Sequence, residues 1–295
     1  MGNRGVSRTE DGLAPGRPIG VRAAGADLTV REWGDGSGRP LLFWPGLNPW
    51  GSLQLVEIGP RLADRGFRVL SIAAPGAGES PPLPTLEAYR LPRLADLVAE
   101  TADALDVDRF VFMGASWGAS IGVHLTTGYS DRIEALILID AGHTDVTTDK
   151  PPEERVKAFE AEQSGFAFDS WDAFFDFVKG RRRAWRDSLE PRYRLAMEAR
   201  SGKIAPRSDP RAAAWALEGV RLDPPSATHA RLAELATPTL LVIASDNDTS
   251  EAVERFKATV PHATVEQLES GHDVIEDAPD ALVALVVDWL ARVPH

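Results

Sequence analysis

The chain contains no cysteine. That excludes a disulfide framework, a thiol nucleophile and a thiolate metal site, and it leaves the redox compartment unmarked. No run of about 18 apolar residues occurs, so nothing reads as a membrane span. The stretch from Met1 to Pro18 is polar and rich in glycine, arginine and proline, without the apolar core of a secretion signal. It reads as a frayed tail, and a cytoplasmic location is expected. Positive charge is scarce: 32 Lys and Arg stand against 44 Asp and Glu, a net charge of −12. Such an acidic surface argues against nucleic acid and anionic membranes as partners. There is no internal repeat.

What is present suits a globular chain. Its 295 residues are 43% hydrophobic and 26% charged, enough for one large domain or two small ones. Residues 19–23 and 27–33 flank Ala24-Gly25-Ala26 and predict a hairpin. Residues 40–44, 67–73, 110–113, 135–140, 238–244 and 264–268 predict further strands. Residues 53–65, 86–105, 251–260 and 278–292 predict helices, the first open to a break at Gly59-Pro60 and the second to a split at Pro92. Strands alternating with helices imply an α/β fold with a mainly parallel, doubly wound sheet covered on both faces. From 143 to 232 the texture changes. Asp, Pro, Glu and Arg become frequent, and six of the 11 Phe and three of the 8 Trp collect there. This stretch predicts an all-helical insertion.

One stretch concentrates chemistry. The apolar run 110–113 ends at Gly114-Ala115-Ser116-Trp117-Gly118, and a helix-forming run follows through Ala119, Ile121, Val123 and Leu125. A strand turning sharply into a helix crowds the backbone, and glycines two before and two after the turn residue remove the clashing Cβ atoms. Ser116 then stands at the tip, with the first N–H groups of the helix behind it. A serine hydroxyl is a poor nucleophile at neutral pH; it needs a base and a group that orients the base. Ser270-Gly271-His272-Asp273 follows the last strand, and Ser245-Asp246-Asn247-Asp248 follows the strand before it.

The Gly-x-Ser-x-Gly in this setting resembles the nucleophile elbow of the α/β-hydrolase family, and the resemblance spans residues 19–142 and 233–293. It implies His272 as the base, since that family keeps its histidine after the last strand. Glu276-Asp277-Ala278-Pro279 is similar to the acidic-x-Pro segment common after it. His124, His143, His229, His262 and His295 lack this context. The acid is implied at Asp248, from a Gly-acidic-x-Asp pattern with Ser245 where glycine is usual. Asp246 is one alternative. Asp140 is another, by a rarer arrangement that takes the acid from the end of the preceding sheet strand. The order Ser116, Asp248, His272 matches the family's. The oxyanion donors implied are the backbone N–H groups of Leu47 and Trp117, with Pro45-Gly46 where many relatives have His-Gly. The loop 74–80 is similar to the family's Asp-x-Pro-Gly-x-Gly-x-Ser, with Ala73 replacing the acid, and reads as a structural turn near the site. Its Gly-x-Gly lacks the context of a nucleotide motif. No metal or organic cofactor is implied.

The insertion follows Asp140, where relatives carry a helical cap over the active site. The implied organisation is a tail (1–18), a core of the α/β-hydrolase type (19–142 and 233–295) and a cap or lid (143–232). Some cap aromatics are expected to form its own small core. Others, Trp171, Phe175 and Trp185 first, are expected to bind an apolar small-molecule substrate. Arg181, Arg182, Arg183 and Arg186 read as a solvated helix face, with recognition of a substrate carboxylate or phosphate as the second reading. The resemblance implies a serine hydrolase that cleaves an ester, lactone or thioester with an apolar portion through an acyl-enzyme. A serine at the elbow argues against haloalkane dehalogenase and epoxide hydrolase. Ser-Trp-Gly resembles proline iminopeptidases, so an aminopeptidase stays open, as does a carbon–carbon bond hydrolase. From another class, a ligand receptor with little turnover stays open too. So do the substrate's identity and the choice between monomer and homodimer.

Overall fold

The computed structural model describes residues 15–48, 51–183, 185–247 and 250–293. Its first strands, β1 (Arg17–Ala23) and β2 (Ala26–Trp33), form the expected antiparallel hairpin. Then come β3 (Arg39–Trp44), β4 (Phe67–Ile72), β5 (Phe110–Ala115) and β6 (Ile133–Ile139). Two short strands follow inside the insertion, β7 (Met197–Arg200) and β8 (Lys203–Pro206), and then β9 (Thr239–Ala244) and β10 (Thr264–Leu268). The main sheet has eight strands in the order β1-β2-β4-β3-β5-β6-β9-β10. It is antiparallel where β2 meets β1 and β4, and parallel from β4 to β10.

The central strands are apolar throughout because both of their faces are covered. On β3, Leu41 and Phe43 join one buried cluster while Leu42 and Trp44 join another. On β5, Val111 and Met113 divide from Phe110 and Phe112 in the same way. The first cluster receives Leu62 of α1 (Gly59–Ala63) and Leu282, Val286 and Leu290 of the terminal helix. The second receives Leu94 and Val98 of α2 (Leu91–Ala104) and Ile121 and Leu125 of α3 (Trp117–Gly128). Each such side chain contributes roughly 1.5–3 kcal/mol when fully buried. Both helices flagged for breaks are broken. A 3₁₀ turn (Gly51–Leu55) precedes α1, and another (Leu86–Tyr89), capped where Thr85 Oγ1 accepts from Ala88 N at 3.3 Å, precedes α2. Pro60 and Pro92 each fall in a first helical turn, where a missing N–H breaks no bond.

The insertion contains α4 (Pro152–Ser164), α5 (Trp171–Lys179), α6 (Glu190–Ala196), α7 (Pro210–Leu222) and α8 (His229–Leu235). Contrary to the expectation from the sequence, it is not all-helical: β7 and β8 pair antiparallel, and Phe168 bridges to Ile204. Ser201 and Gly202, at φ 51° and 77°, make the two-residue turn that favours such a hairpin. Strands this short, holding Glu198, Arg200 and Lys203, carry no apolar alternation to betray them. The expected boundary at 232 cuts through α8, whose Leu232 is buried in the same cluster as α3 and Phe256. The helix therefore packs with the sheet layers. Chain order closes with α9 (Ser250–Thr259), α10 (Val274–Asp277) and α11 (Pro279–Leu290).

Since β3, β5, β6, β9 and β10 run parallel, their C-terminal ends lie along one edge of the sheet. Loops at such an edge are the usual place for a ligand in an open α/β sheet. The insertion leaves from that edge, directly after β6. Among the described residues no helix is long and apolar enough to cross a membrane.

Candidate active site

Ser116 turns the chain from β5 into α3 with φ 50° and ψ −113°, a conformation that costs a non-glycine residue about 1–3 kcal/mol. The turn is held by Ser116 N donating to Ile139 O at 2.8 Å and by Ala119 N donating to Ser116 O at 2.9 Å. Both flanking glycines are required by close approach. A Cβ on Gly114 would lie 2.2 Å from Gly118 O, and one on Gly118 would lie 2.1 Å from Trp44 O.

His272 follows β10 and turns its ring toward this serine. Nε2 lies 2.9 Å from Ser116 Oγ, and Nδ1 lies 2.6 Å from Asp140 Oδ2. A carboxylate only accepts, so Nδ1 carries the proton and Nε2 is left to accept from the hydroxyl. The imidazole pKa is raised above its ordinary 6.5, first by the hydrogen bond to Asp140, then by the charges of Asp140 and Asp273, with burial opposing. Asp140 sits just past β6 at φ 51°, a conformation aspartate tolerates better than most side chains. Its carboxylate is almost wholly buried and well supplied with donors. Oδ1 accepts from Ala244 N at 2.9 Å, and Oδ2 accepts from Asn247 Nδ2 as well as from His272.

The sequence led to Asp248 as the acid; that residue lies outside the described ones, and the carboxylate on Nδ1 is that of Asp140. Asp246 is half exposed and faces Arg183 at 3.5 Å. The two loops are easily confused. β6 and β9 are hydrogen-bonded neighbours, with Ile139 opposite Val242, so residues just past either strand reach the same spot. Asn247 is the participant that sequence reasoning missed. It stood between two aspartates in what read as a turn, and nothing local marks it as a donor to a residue on another strand.

The loop after β3 approaches the serine closely: a Cβ on Gly46 would lie 3.4 Å from Ser116 Cβ. Gly46 N donates to Gln54 Oε1 at 3.0 Å, and Asn48 N donates to Gly46 O at 2.9 Å. The Leu47 N–H lies between these two committed groups. Trp117 opens α3, where first-turn N–H groups have no intrahelical acceptor. Its indole meets that of Trp44 edge-on at 5.4 Å, which ties the elbow to the end of β3. Leu47 and Trp117 line one cleft, closed on its other sides by Pro75, Gly76 and Ala77 and by Ala212, Ala213 and Ala216 of α7. The loop 74–80 is thus both a turn, with Gly76 and Gly78 at positive φ, and a wall of this cleft.

Trp171, Phe175 and Trp185 are not brought to this cleft. Trp171 stacks on Phe175 at 5.8 Å, Phe175 meets Trp185 edge-on at 6.0 Å, and Trp185 stacks on Tyr193 at 5.8 Å. They are part of an aromatic group of the insertion, joined by Phe166, Phe168 and Phe177, that packs into the first buried cluster of the sheet. The arginine run also differs from expectation. Arg182 is buried and pairs with Asp273 and Glu276, and Arg186 pairs with Glu57 through two hydrogen bonds. Arg183 faces Asp246 and Glu269, and Arg181 lies over the Phe177 ring at 5.0 Å. Neither a solvated face nor a ligand site describes Arg182 and Arg186.

Comparison with known proteins agrees with this architecture. A putative non-heme haloperoxidase of a Mycobacterium phage is 34% identical over 106 residues, 36% of this chain and 37% of that protein. The aligned segment spans only 18% of the pig bifunctional epoxide hydrolase 2. Haloalkane dehalogenase 2 of Mycobacterium tuberculosis is similar over far more, 27% identical across 86% of this chain and 88% of its own length. The thioesterase domain from the curacin biosynthetic pathway superposes with a TM-score of 0.75, covering 92% of this chain and 99% of that one at 18% identity. A family model described as the alpha/beta hydrolase fold matches residues 39–279, well over half of the sequence. The chain belongs to the alpha/beta hydrolase family.

Proposed function

We propose that this hydrolase cleaves an ester, lactone or thioester with an apolar portion through a serine acyl-enzyme. The observation that carries the reading is the chain of contacts from Ser116 Oγ to His272 Nε2 at 2.9 Å and from His272 Nδ1 to Asp140 at 2.6 Å. Ser116 Oγ attacks the carbonyl carbon as Nε2 takes its proton, a service worth about 10²–10⁴ in rate. Asp140, in place of Asp248, fixes the tautomer and stabilises the imidazolium. The N–H groups of Leu47 and Trp117 receive the oxyanion, each such donor being worth about 10²–10³. Collapse returns the proton from Nε2 to the leaving oxygen or sulfur. Water, deprotonated by the same nitrogen, then attacks the acyl-enzyme and frees the acid and Ser116.

The cleft supports an uncharged acyl portion. Among its described lining residues are alanines, glycines, Pro75, Leu47, Gln163 and Ser208, but no Asp, Glu, Lys or Arg. Similarity to a haloalkane dehalogenase invites a second reading. Halide displacement at a saturated carbon by a serine would leave an ether, which has no carbonyl for water to attack. A carboxylate nucleophile would leave a hydrolysable ester, but position 116 holds serine.

The test is labelling of Ser116 by a fluorophosphonate, followed by turnover of p-nitrophenyl esters of increasing chain length. Labelling at Ser116 with multiple turnover is expected. A protein that binds a ligand with large thermal stabilisation, yet neither labels nor turns over, would be a receptor on this fold.

A further inference from the structure

We infer that the inserted segment positions the catalytic histidine, through Arg182 and Tyr193 gripping Asp273 and Glu276, which follow His272 in the chain. This rests on the serine-hydrolase reading above, in which His272 is the base.

The segment is tied internally before His272 and gripped by the insertion after it. Before it, Gly271 N donates to Asp277 Oδ2 at 2.9 Å. After it, Asp273 pairs with Nη1 of Arg182, whose Nη2 reaches Glu276 Oε2 at 2.8 Å. Tyr193 Oη accepts from Arg182 Nε and Nη2 at 3.0 and 2.8 Å and donates to Glu276 Oε2 at 2.7 Å. Arg192 Nη2 lies 3.0 Å from Glu276 Oε1, both side chains only 1% exposed. Two guanidinium groups of the insertion thus meet two carboxylates that follow His272, those of Asp273 and, in α10, Glu276, and the charges cancel. Arg186 adds a hydrogen bond to the Glu276 carbonyl. Around His272 itself stand Asp140 from the end of β6 and Asp273, with Asp277 and Asp246 beside Gly271 and Arg182 and Arg183 compensating from the insertion.

Such a network is a poor way to gain stability. Desolvating several charges costs about as much as their pairing returns, and apolar replacements often serve equally well. It is a good way to fix geometry, because a forked guanidinium bonded to three groups has few alternative placements. Position matters here: a shift of about 1 Å at a catalytic group costs about 10²-fold in rate. The aromatic core around Trp185 and Tyr193 then acts as the rigid mount for the arginines rather than as a substrate wall.

The experiment compares wild type with Asp273→Asn, Arg182→Met, Arg182→Lys and Tyr193→Phe. Each is measured by ester kinetics and by titration of the His272 imidazole resonance. Arg182→Met is expected to lower kcat about 10- to 100-fold with little change in KM. It should also raise the His272 pKa, because the Asp273 charge is no longer neutralised. Arg182→Lys should return the pKa toward wild type but not kcat, since the charge is restored without the fork. Asp273→Asn, at a partly exposed residue, should lower both kcat and the His272 pKa. Tyr193→Phe should lower kcat with little effect on the titration. If Asp273→Asn keeps wild-type kcat and titration, the inference is wrong, whatever becomes of the more buried Arg182 variants. A wild-type protein that fails to label at Ser116 overturns the hydrolase reading instead. The imidazole titration needs no turnover and still reports whether the anchor acts on His272.

Discussion

Asp140 and His272 are 132 residues apart in the chain and meet at 2.6 Å, carboxylate to Nδ1. Asp140 has no freedom to serve elsewhere, because Ala244 N and Asn247 Nδ2 hold it in place. Asp140→Asn should therefore cost about 10⁴ in kcat, the loss seen in the serine-protease case when the orienting acid becomes an amide. Asp246→Asn should stay within a few-fold of wild type. Steady-state ester kinetics on both variants decide the matter, and a large loss confined to Asp246→Asn would move the acid to the loop after β9.

Ser116→Ala should remove fluorophosphonate labelling and nearly all turnover, while about 10³–10⁴-fold acceleration over water survives from binding and the oxyanion donors. The fold should not suffer. Alanine at φ 50° bears strain similar to serine, and the turn's hydrogen bonds are made by the backbone. Circular dichroism and a melting curve beside the kinetics check both halves. A variant that keeps most of its kcat removes the nucleophile assignment.

The pH dependence follows from the sign of the His272 shift. The neutral ring is the base, so kcat/KM should rise with pH through the free-enzyme pKa, which Asp140 and Asp273 hold above 6.5. Asp140→Asn removes the leading cause of that shift, so the acid limb in the residual activity should move to lower pH. An acid limb that rises or stays put in Asp140→Asn would mean that another group sets it.

Substrate preference should be governed by α7 rather than by the aromatic core. Ala213→Phe or Ala216→Phe introduces a ring into the cleft beside Leu47 and Trp117 and should cut kcat/KM for long acyl chains far more than for acetate. Trp171→Ala should act on stability instead. Its ring stacks on Phe175 and carries the Arg194 guanidinium at 4.6 Å, so a loss of a few kcal/mol in unfolding free energy is expected, with chain-length preference unchanged. A p-nitrophenyl ester series and thermal melts separate the two classes. Selectivity that changes in Trp171→Ala and not in the α7 variants reverses the assignment.

Local signals in the sequence reached a long way. The strands around the elbow were legible because a parallel strand buried on both faces must be apolar at every position, as Val111 to Met113 are. Ser116 was legible because the turn tolerates only glycine at 114 and 118, where a Cβ would strike backbone within 2.2 Å. His272 was singled out by the family resemblance, and its ring lies 2.9 Å from Ser116 Oγ. Pro60 and Pro92, read as breaks in longer helices, fall in the first turns of α1 and α2.

The carboxylate that meets His272, the cleft and the pairing of the arginine run were decided by tertiary structure alone, and for one reason: each depends on which distant backbone lies alongside. The end of β6 and the loop after β9 are neighbours only because β6 and β9 pair, so the choice between their carboxylates was made by register. Arg182 looks like any arginine in a charged run until the histidine loop is folded against it. The aromatics of the insertion read equally well as a pocket wall or a core until their rings are found facing one another. A sequence determines by itself what a residue and its near neighbours impose on the chain, which here was the strands of the sheet and the sharp turn at Ser116. Contacts between side chains a hundred residues apart carry no local pattern, so the fold had to place them.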